Sequence, residues 1–335
     1  MMCDLDLGYV NGNDLVRGWW EQMPTARAFW VREPGAGEIR PVTLPAPGPD
    51  EVLVRTRFSG VSRGTESLVF QGRVPASQYA VMRAPFQEGD FPGPVKYGYL
   101  NVGQLDDGRF VFCLYPHQTA YVVPVSAVHM LPDGVPPTRA VLAGTVETAV
   151  NALWDANPRV GDRVTVVGAG AVGCCVARLV AGLPGVHVQL VDVDMGRETV
   201  AGALGVEFAT PETADRRRDL VIHASATSEG LQCALDLLAP EGTVVELSWY
   251  GDRPVTLGLG GAFHPGRLTI RSSQVGTVAH PRRTFAERMA LALRLLRDPA
   301  FDALIAGESR FDDLPDVFAA GKLPALCHLI TYGGE

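Results

Sequence analysis

The chain has 335 residues, 47% hydrophobic and 20% charged, which excludes wholesale disorder and suggests about two domains rather than one core. A net charge of −8, from 37 acidic against 29 basic residues with no long basic run, speaks against nucleic-acid binding. Six cysteines without a C-x-x-C pair indicate neither a disulfide framework nor a thiolate zinc cage; no apolar stretch suits a membrane span and no basic-then-apolar leader opens the chain, so a cytoplasmic protein with no membrane partner is expected.

Residues 1–24 show no period and read as an N-terminal extension. From Ala26 the pattern is one of short strands, at 26–32, 51–59, 109–113 and 120–124, separated by Pro and Gly. Val52 and Val54 alternate with Arg55 and Arg57, as in a half-buried strand. These strands predict an antiparallel, barrel-like first domain. A helix follows Pro137-Thr138, with Leu142, Val146, Val150 and Leu153 on one face, and Asn157-Pro158 ends it. From Arg163 strands alternate with helices: strands at 164–167, 186–191, 220–224, 244–247 and 267–275, helices after Ala171, at 230–238 and at 284–297. That alternation predicts an α/β unit with a parallel sheet. A short helix and a terminal strand at 326–330 are expected to return to the first domain.

The strongest chemical signal is Gly168-Ala-Gly170-Ala-Val-Gly173, a G-x-G-x-x-G run directly after a strand and opening an amphipathic helix. Gly168 suits the tight turn. Gly170 lets backbone amides approach a pyrophosphate, and Gly173 lets helix and sheet pack closely. Ala171 and Val172 open the helix whose N-terminus faces the phosphates. The next strand ends in Asp192, whose carboxylate can accept from adenosine ribose hydroxyls and would repel a 2′-phosphate. Arg197 is the nearest following guanidinium, so NAD(H) is expected over NADP(H).

These features resemble the medium-chain dehydrogenase/reductase superfamily over roughly residues 26–332. The resemblance implies a GroES-like β-barrel domain (25–155 and 300–335) around a Rossmann doubly wound parallel sheet that binds NAD (156–299). Gly60-Val-Ser-Arg-Gly-Thr-Glu66 is similar to the loop that carries the first catalytic zinc ligand. Lys96-Tyr-Gly98-Tyr-Leu-Asn-Val-Gly103 is similar to the G-H-E-x-x-G segment. Thr145-Val-Glu-Thr-Ala-Val-Asn-Ala-Leu153 is similar to the helix entering the cofactor domain. The ligands themselves are replaced: Ser62 stands for Cys, Tyr99 and Leu100 for His-Glu, and Gly144 or a neighbour for a further ligand. Zinc needs several thiolate, imidazole or carboxylate donors in tetrahedral array, so a zinc-free member with no metal site is expected. The Ser-Arg-Gly-Thr-Glu run also looks similar to the bacteriochlorophyllide hydroxyethyl dehydrogenase subgroup. Kinship further implies a small-molecule substrate and a homodimer.

Without zinc, a developing alkoxide or enolate needs donors or a general acid. Thr65 and Glu66 lie on a predicted cleft loop, where Glu66 either moves the alcohol proton or pairs with Arg63. Arg63 is a candidate for the cofactor pyrophosphate. Tyr99 can donate to a substrate carbonyl, His117 can relay a proton, and Glu147 sits at the edge of its helix's apolar face. At the C-terminal ends of the cofactor-domain strands, Ser248 borders the predicted crevice, Ser225 is expected to approach the adenosine side, and Trp249 either walls the nicotinamide or substrate pocket or is core. Alcohol–carbonyl interconversion, reduction of an activated C=C bond, and non-catalytic NAD(H) binding all stand open on the sequence.

Overall fold

The computed structural model describes residues 25–321, 323 and 326–333; the extension expected at 1–24 lies outside the described residues. Two sheets, antiparallel except where the edge strand Ile305–Arg310 runs parallel to Cys327–Thr331, form the barrel part. One has four strands, in the order Ala36–Thr43, Thr25–Glu33, Val95–Lys96, Glu88–Gly89. The other has seven and is organised by the long strand Glu51–Val61, which pairs with Ala120–Pro124 along its first half. Along its second half it lies between Asn101–Gln104 and the terminal strand Cys327–Thr331. A register shift between Thr56 and Phe58 lets one strand serve both halves, since a bulge bends and twists the strand that carries it. The terminal strand thus returns to the seven-stranded sheet, one residue later than the pattern at 326–330 indicates.

The second part is a six-stranded, all-parallel sheet in the order Glu207–Ala209, His187–Val191, Arg163–Val167, Arg218–His223, Leu238–Glu246, Thr269–Ser272. Its central strands are near-continuous Val/Ile/Leu runs because helices cover both faces. The chain order reverses between Arg163–Val167 and Arg218–His223, and at that switch point a crevice opens at the carboxyl ends of the strands. The last strand, Thr269–Ser272, is shorter than the apolar pattern at 267–275, because Gln274–Ala279 turns away to meet Asn151 of helix Ala143–Ala156.

Helix Ala143–Ala156 joins the two parts. Small residues bring it close to its neighbours, and Ala143, Val146, Ala149, Val150 and Ala152 belong to one core with Leu100 and Phe112 of the barrel and Val164, Val166 and Leu190 of the parallel sheet. Asn157 ends it in the left-handed conformation (φ 49°, ψ 54°), with Pro158 behind it. Helix Phe285–Leu295 packs beside it and is started by a reciprocal capping box between Thr284 and Glu287.

Candidate functional site

The glycine run forms an open cradle. Gly168 has φ +108°, and a Cβ there would lie 2.7 Å from the Ser225 amide nitrogen; a Cβ on Gly173 would lie 1.9 Å from the Gly168 carbonyl oxygen. Gly170 is the N-cap of helix Ala171–Ala181, so Ala171 and Val172 occupy its first turn with the free amide end toward the crevice. Side-chain-free backbone at a helix N-terminus is the arrangement a dinucleotide pyrophosphate requires, and these residues fit one. Asp192 Oδ2 accepts the Ala169 N–H at 2.7 Å and Oδ1 accepts the Asp194 N–H at 2.9 Å. Each oxygen keeps a lone pair for a ribose hydroxyl. Arg197 pairs with Asp194 at 3.2 Å, which spends part of its charge beside the adenosine end. Cys174 and Cys175 are buried; burial pushes the Cys174 thiol up to about 12 and the Cys175 thiol up as well, so both are packing residues.

Beyond the switch point, Ser248 Oγ accepts the Ala226 N–H at 3.0 Å, and Ser225 lies against Gly168. Trp249 faces the barrel: its indole N–H donates to Gln78 Oε1 at 2.6 Å, and its ring joins the barrel cluster that contains Tyr79, Tyr97 and Tyr99. Arg73 and Asp252, 2.8 Å apart, bridge the same gap.

In the barrel, the expected loop around Thr65 and Glu66 is instead the helix Arg63–Phe70, N-capped by Ser62. The difference has a packing cause, since Leu68, Val69 and Phe70 are buried although the Ser-Arg-Gly-Thr start shows no apolar period. Arg63, at its first position, is exposed, and Glu66 pairs not with Arg63 but with His117. The Glu66 carboxylate is 3% exposed; Oε1 accepts the Ser62 N–H at 2.8 Å and Oε2 lies 2.9 Å from His117 Nε2. His117 Nδ1 lies 2.7 Å from Ser59 Oγ, which lies 2.9 Å from Tyr332 Oη. Four buried polar side chains therefore form one hydrogen-bonded row, Glu66–His117–Ser59–Tyr332, inside an apolar barrel. Neither Ser59 nor Tyr332 carries a motif; the row becomes visible only when strands 273 residues apart pair.

Tyr99 stands beside this row. Burial and the Glu66 charge push its phenol up to about 12, and the neighbouring Ser62 and Thr65 hydroxyls offset only part of that. Its ring meets Tyr97 edge-on, with centroids 6.1 Å apart. Leu100, 1% exposed, packs against Gly60 and Gly144, and a Cβ on Gly144 would lie 2.7 Å from Leu100 Cδ2. A hydroxyl, a phenol, an aliphatic chain and a glycine thus fill the positions where the resemblance would place zinc ligands, and such a donor set does not fit zinc. Among the described residues, one His/Glu/Asp group has metal-like spacing: His187, Glu207 and Asp215, exposed on the parallel sheet and shared with Arg218.

Glu147 does not join Tyr99 and His117. Its carboxylate accepts from Arg288 Nε at 3.0 Å, and the same buried guanidinium donates to Asn151 and to the carbonyls of Val275 and Thr277. Burial raises the Glu147 carboxyl and the Arg288 charge pulls it partly back. This is an ion pair that locks helices Ala143–Ala156 and Phe285–Leu295 to the 274–279 turn, and the catalytic expectation for Glu147 is corrected accordingly.

No protein-family model matches the chain. It is 28% identical over 304 residues to the 2-desacetyl-2-hydroxyethyl bacteriochlorophyllide A dehydrogenase of Rhodobacter capsulatus, covering 82% of this chain and 90% of that protein. In fold it is similar to a zinc-binding dehydrogenase of Sinorhizobium meliloti bound to NADP (TM-score 0.73, 17% identity, 92% and 99% of the two chains). It is similar also to an Escherichia coli alcohol dehydrogenase complexed with NADH (TM-score 0.73, 18% identity, 92% and 99%). In its two-part fold and in its curated relatives the chain is similar to oxidoreductases of the medium-chain dehydrogenase/reductase superfamily.

Proposed function

We propose that the protein is an NAD(H)-dependent oxidoreductase that interconverts an alcohol and a carbonyl on a small or medium-sized metabolite without a catalytic zinc. The observation that carries this reading is Tyr99, backed by the buried Glu66–His117 pair, in the place of a ligand set. A bound nicotinamide supplies the hydride chemistry. The chain's own groups handle the proton and the substrate oxygen. With its pKa raised, Tyr99 keeps its proton at neutral pH and is an O–H donor to a carbonyl oxygen, not a phenolate base. In reduction one proton leaves the phenol for the new alkoxide, and the Glu66 charge penalises the phenolate left behind. The Glu66–His117–Ser59–Tyr332 row beside the phenol is the hydrogen-bonded path proposed for replacing that proton. In oxidation the same steps run backwards.

Asp192 supports NAD(H) over NADP(H), because an ionised carboxylate at the end of His187–Val191 repels a 2′-phosphate and accepts from free hydroxyls. Parallel titrations with NADH and NADPH, read by tryptophan quenching, test the cofactor reading. NADH is expected to bind tighter by about tenfold or more, roughly 1.4 kcal/mol. The reverse preference overturns the role given to Asp192, and binding of neither overturns the cofactor reading.

A further inference from the structure

A cavity outside the dinucleotide crevice and the proton row lies where the barrel meets the cofactor part. It measures about 380 Å³, and its walls come from the strand Val128–Met130 and from the end of helix Phe285–Leu295. The strand pairs with Phe110–Cys113 at the edge of the seven-stranded sheet. None of the residues around the cavity belongs to the glycine cradle, to Asp192 or to the Glu66–His117–Ser59–Tyr332 row. Its volume sits near the lower end of the roughly 300–1,000 Å³ typical of small-molecule sites.

Two kinds of side chain surround it. Val128, Met130, Pro132, Ala290 and Leu293 give an apolar wall, and Met130 is left 41% exposed. His129, Arg294 and Arg297 supply N–H donors, and among the described residues no carboxylate joins them. Neighbouring guanidinium groups are neutralised: Arg178 pairs with Asp298 at 2.6 Å, Arg139 with Asp302 at 2.6 Å and Arg288 with Glu147 at 3.0 Å. Asp298 and Asp302, the first acids after Arg297 in the chain, are thereby occupied. Among the described residues neither Arg294 nor Arg297 has a carboxylate within 4 Å; Arg297 Nε donates to the Asp133 carbonyl at 3.0 Å. Burial lowers the His129 imidazole, so near neutral pH it is uncharged and still carries one N–H. In a chain of net charge −8, this hollow holds unbalanced positive charge.

Guanidinium groups bind anionic oxygens, and the wall beside them takes hydrocarbon. Arg294 and Arg297 lie three positions apart, so both reach one head group from the same side of the helix. They stand at the helix C-terminus, whose free carbonyls carry partial negative charge. That favours a ligand with one negative charge over the two of a phosphate monoester. We propose that this cavity binds a monoanionic amphiphile, a carboxylate with a short aliphatic chain, its head on Arg294 and Arg297 and its chain along Met130 and Leu293. Such a ligand touches both parts of the molecule and bridges the barrel to the helix that carries Arg288.

Octanoate is the probe, titrated by calorimetry into the full chain, with acetate and 1-octanol standing for its head and its tail alone. Octanoate is expected to bind one-to-one with a Kd below about 1 mM, and acetate and octanol at least about tenfold more weakly. Arg294→Gln and Arg297→Gln alter exposed side chains and leave the core intact. Each is expected to weaken octanoate by about three- to tenfold, and the double variant by about tenfold or more. A wild type that does not bind octanoate overturns the proposal. So does an affinity that survives the double variant, which would place the carboxylate elsewhere on the molecule. Acetate or octanol binding as tightly as octanoate overturns it too, because head and chain would then not be read together.

Discussion

Tyr99 is the residue on which the proposed chemistry turns. Replacing it by Phe removes one hydroxyl from a packed ring and keeps the shape. The account predicts a fall in turnover of about 100-fold with NADH affinity unchanged, measured by steady-state kinetics on whichever carbonyl substrate a screen identifies. A tyrosine that only packs would instead lower stability and leave turnover near its starting value. Glu66→Gln removes the charge that helps to hold the phenol up, so tyrosinate absorbance in that variant is expected to appear at lower pH. Glu66 and Tyr99 are candidates in the sequence because they lie within segments that resemble ligand-bearing ones, and His117 because it stands in a Pro-His-Gln turn after a barrel strand. The pairing Glu66–His117 was not legible, since Arg63 is nearer along the chain and only the fold brings His117 across. Glu147 shows the same limit: an acid at the edge of an apolar stripe gives no sign of a buried arginine 141 residues away.

The helix that opens at Gly170 depends on a glycine that no other residue can replace in place. A methyl group at Gly173 would meet the Gly168 carbonyl at 1.9 Å and push helix from sheet. Gly173→Ala is therefore expected to cost about 1–3 kcal/mol in urea unfolding and to abolish measurable NADH binding. Arg288 and Glu147 make a complementary case. Arg288→Met leaves a carboxylate buried without its partner and is expected to cost about 3–5 kcal/mol; adding Glu147→Leu should recover much of that, because two apolar chains need no compensation. An equal or larger loss in the double variant would show that the bonds to the 274–279 turn, not the buried charge, dominate. Strands and helices of the parallel sheet could be read from sequence because their apolar runs are long and regular. The helix Arg63–Phe70 could not, because its first turn holds Ser, Arg, Gly and Thr and its apolar residues crowd into the last.

Across the whole molecule, buried phenols and thiols share one direction of shift. Burial raises Tyr97, Tyr99, Tyr115, Tyr121 and Tyr332, and likewise Cys113, Cys175 and Cys327. A folded state that holds these protons more tightly than the unfolded chain loses stability as pH rises. For Tyr99 the contribution is complete below the ordinary value near 10 and is spent by about 12. Urea midpoints should thus be level up to about pH 9 and fall steeply above pH 10; a flat profile to pH 12 would contradict the burial of these groups. The two-part architecture, with a barrel closed by its own C-terminal strand, was readable from the change of pattern at Arg163. The single core that runs through helix Ala143–Ala156 into both parts was not, since it is made by packing rather than by any local period. The most direct test of the central claim is elemental analysis of protein purified without chelator, read together with turnover before and after dialysis against a strong zinc chelator. The account predicts far less than one zinc per chain and an unchanged rate. About one tightly held zinc per chain, with activity lost on its removal and restored on its return, would contradict it.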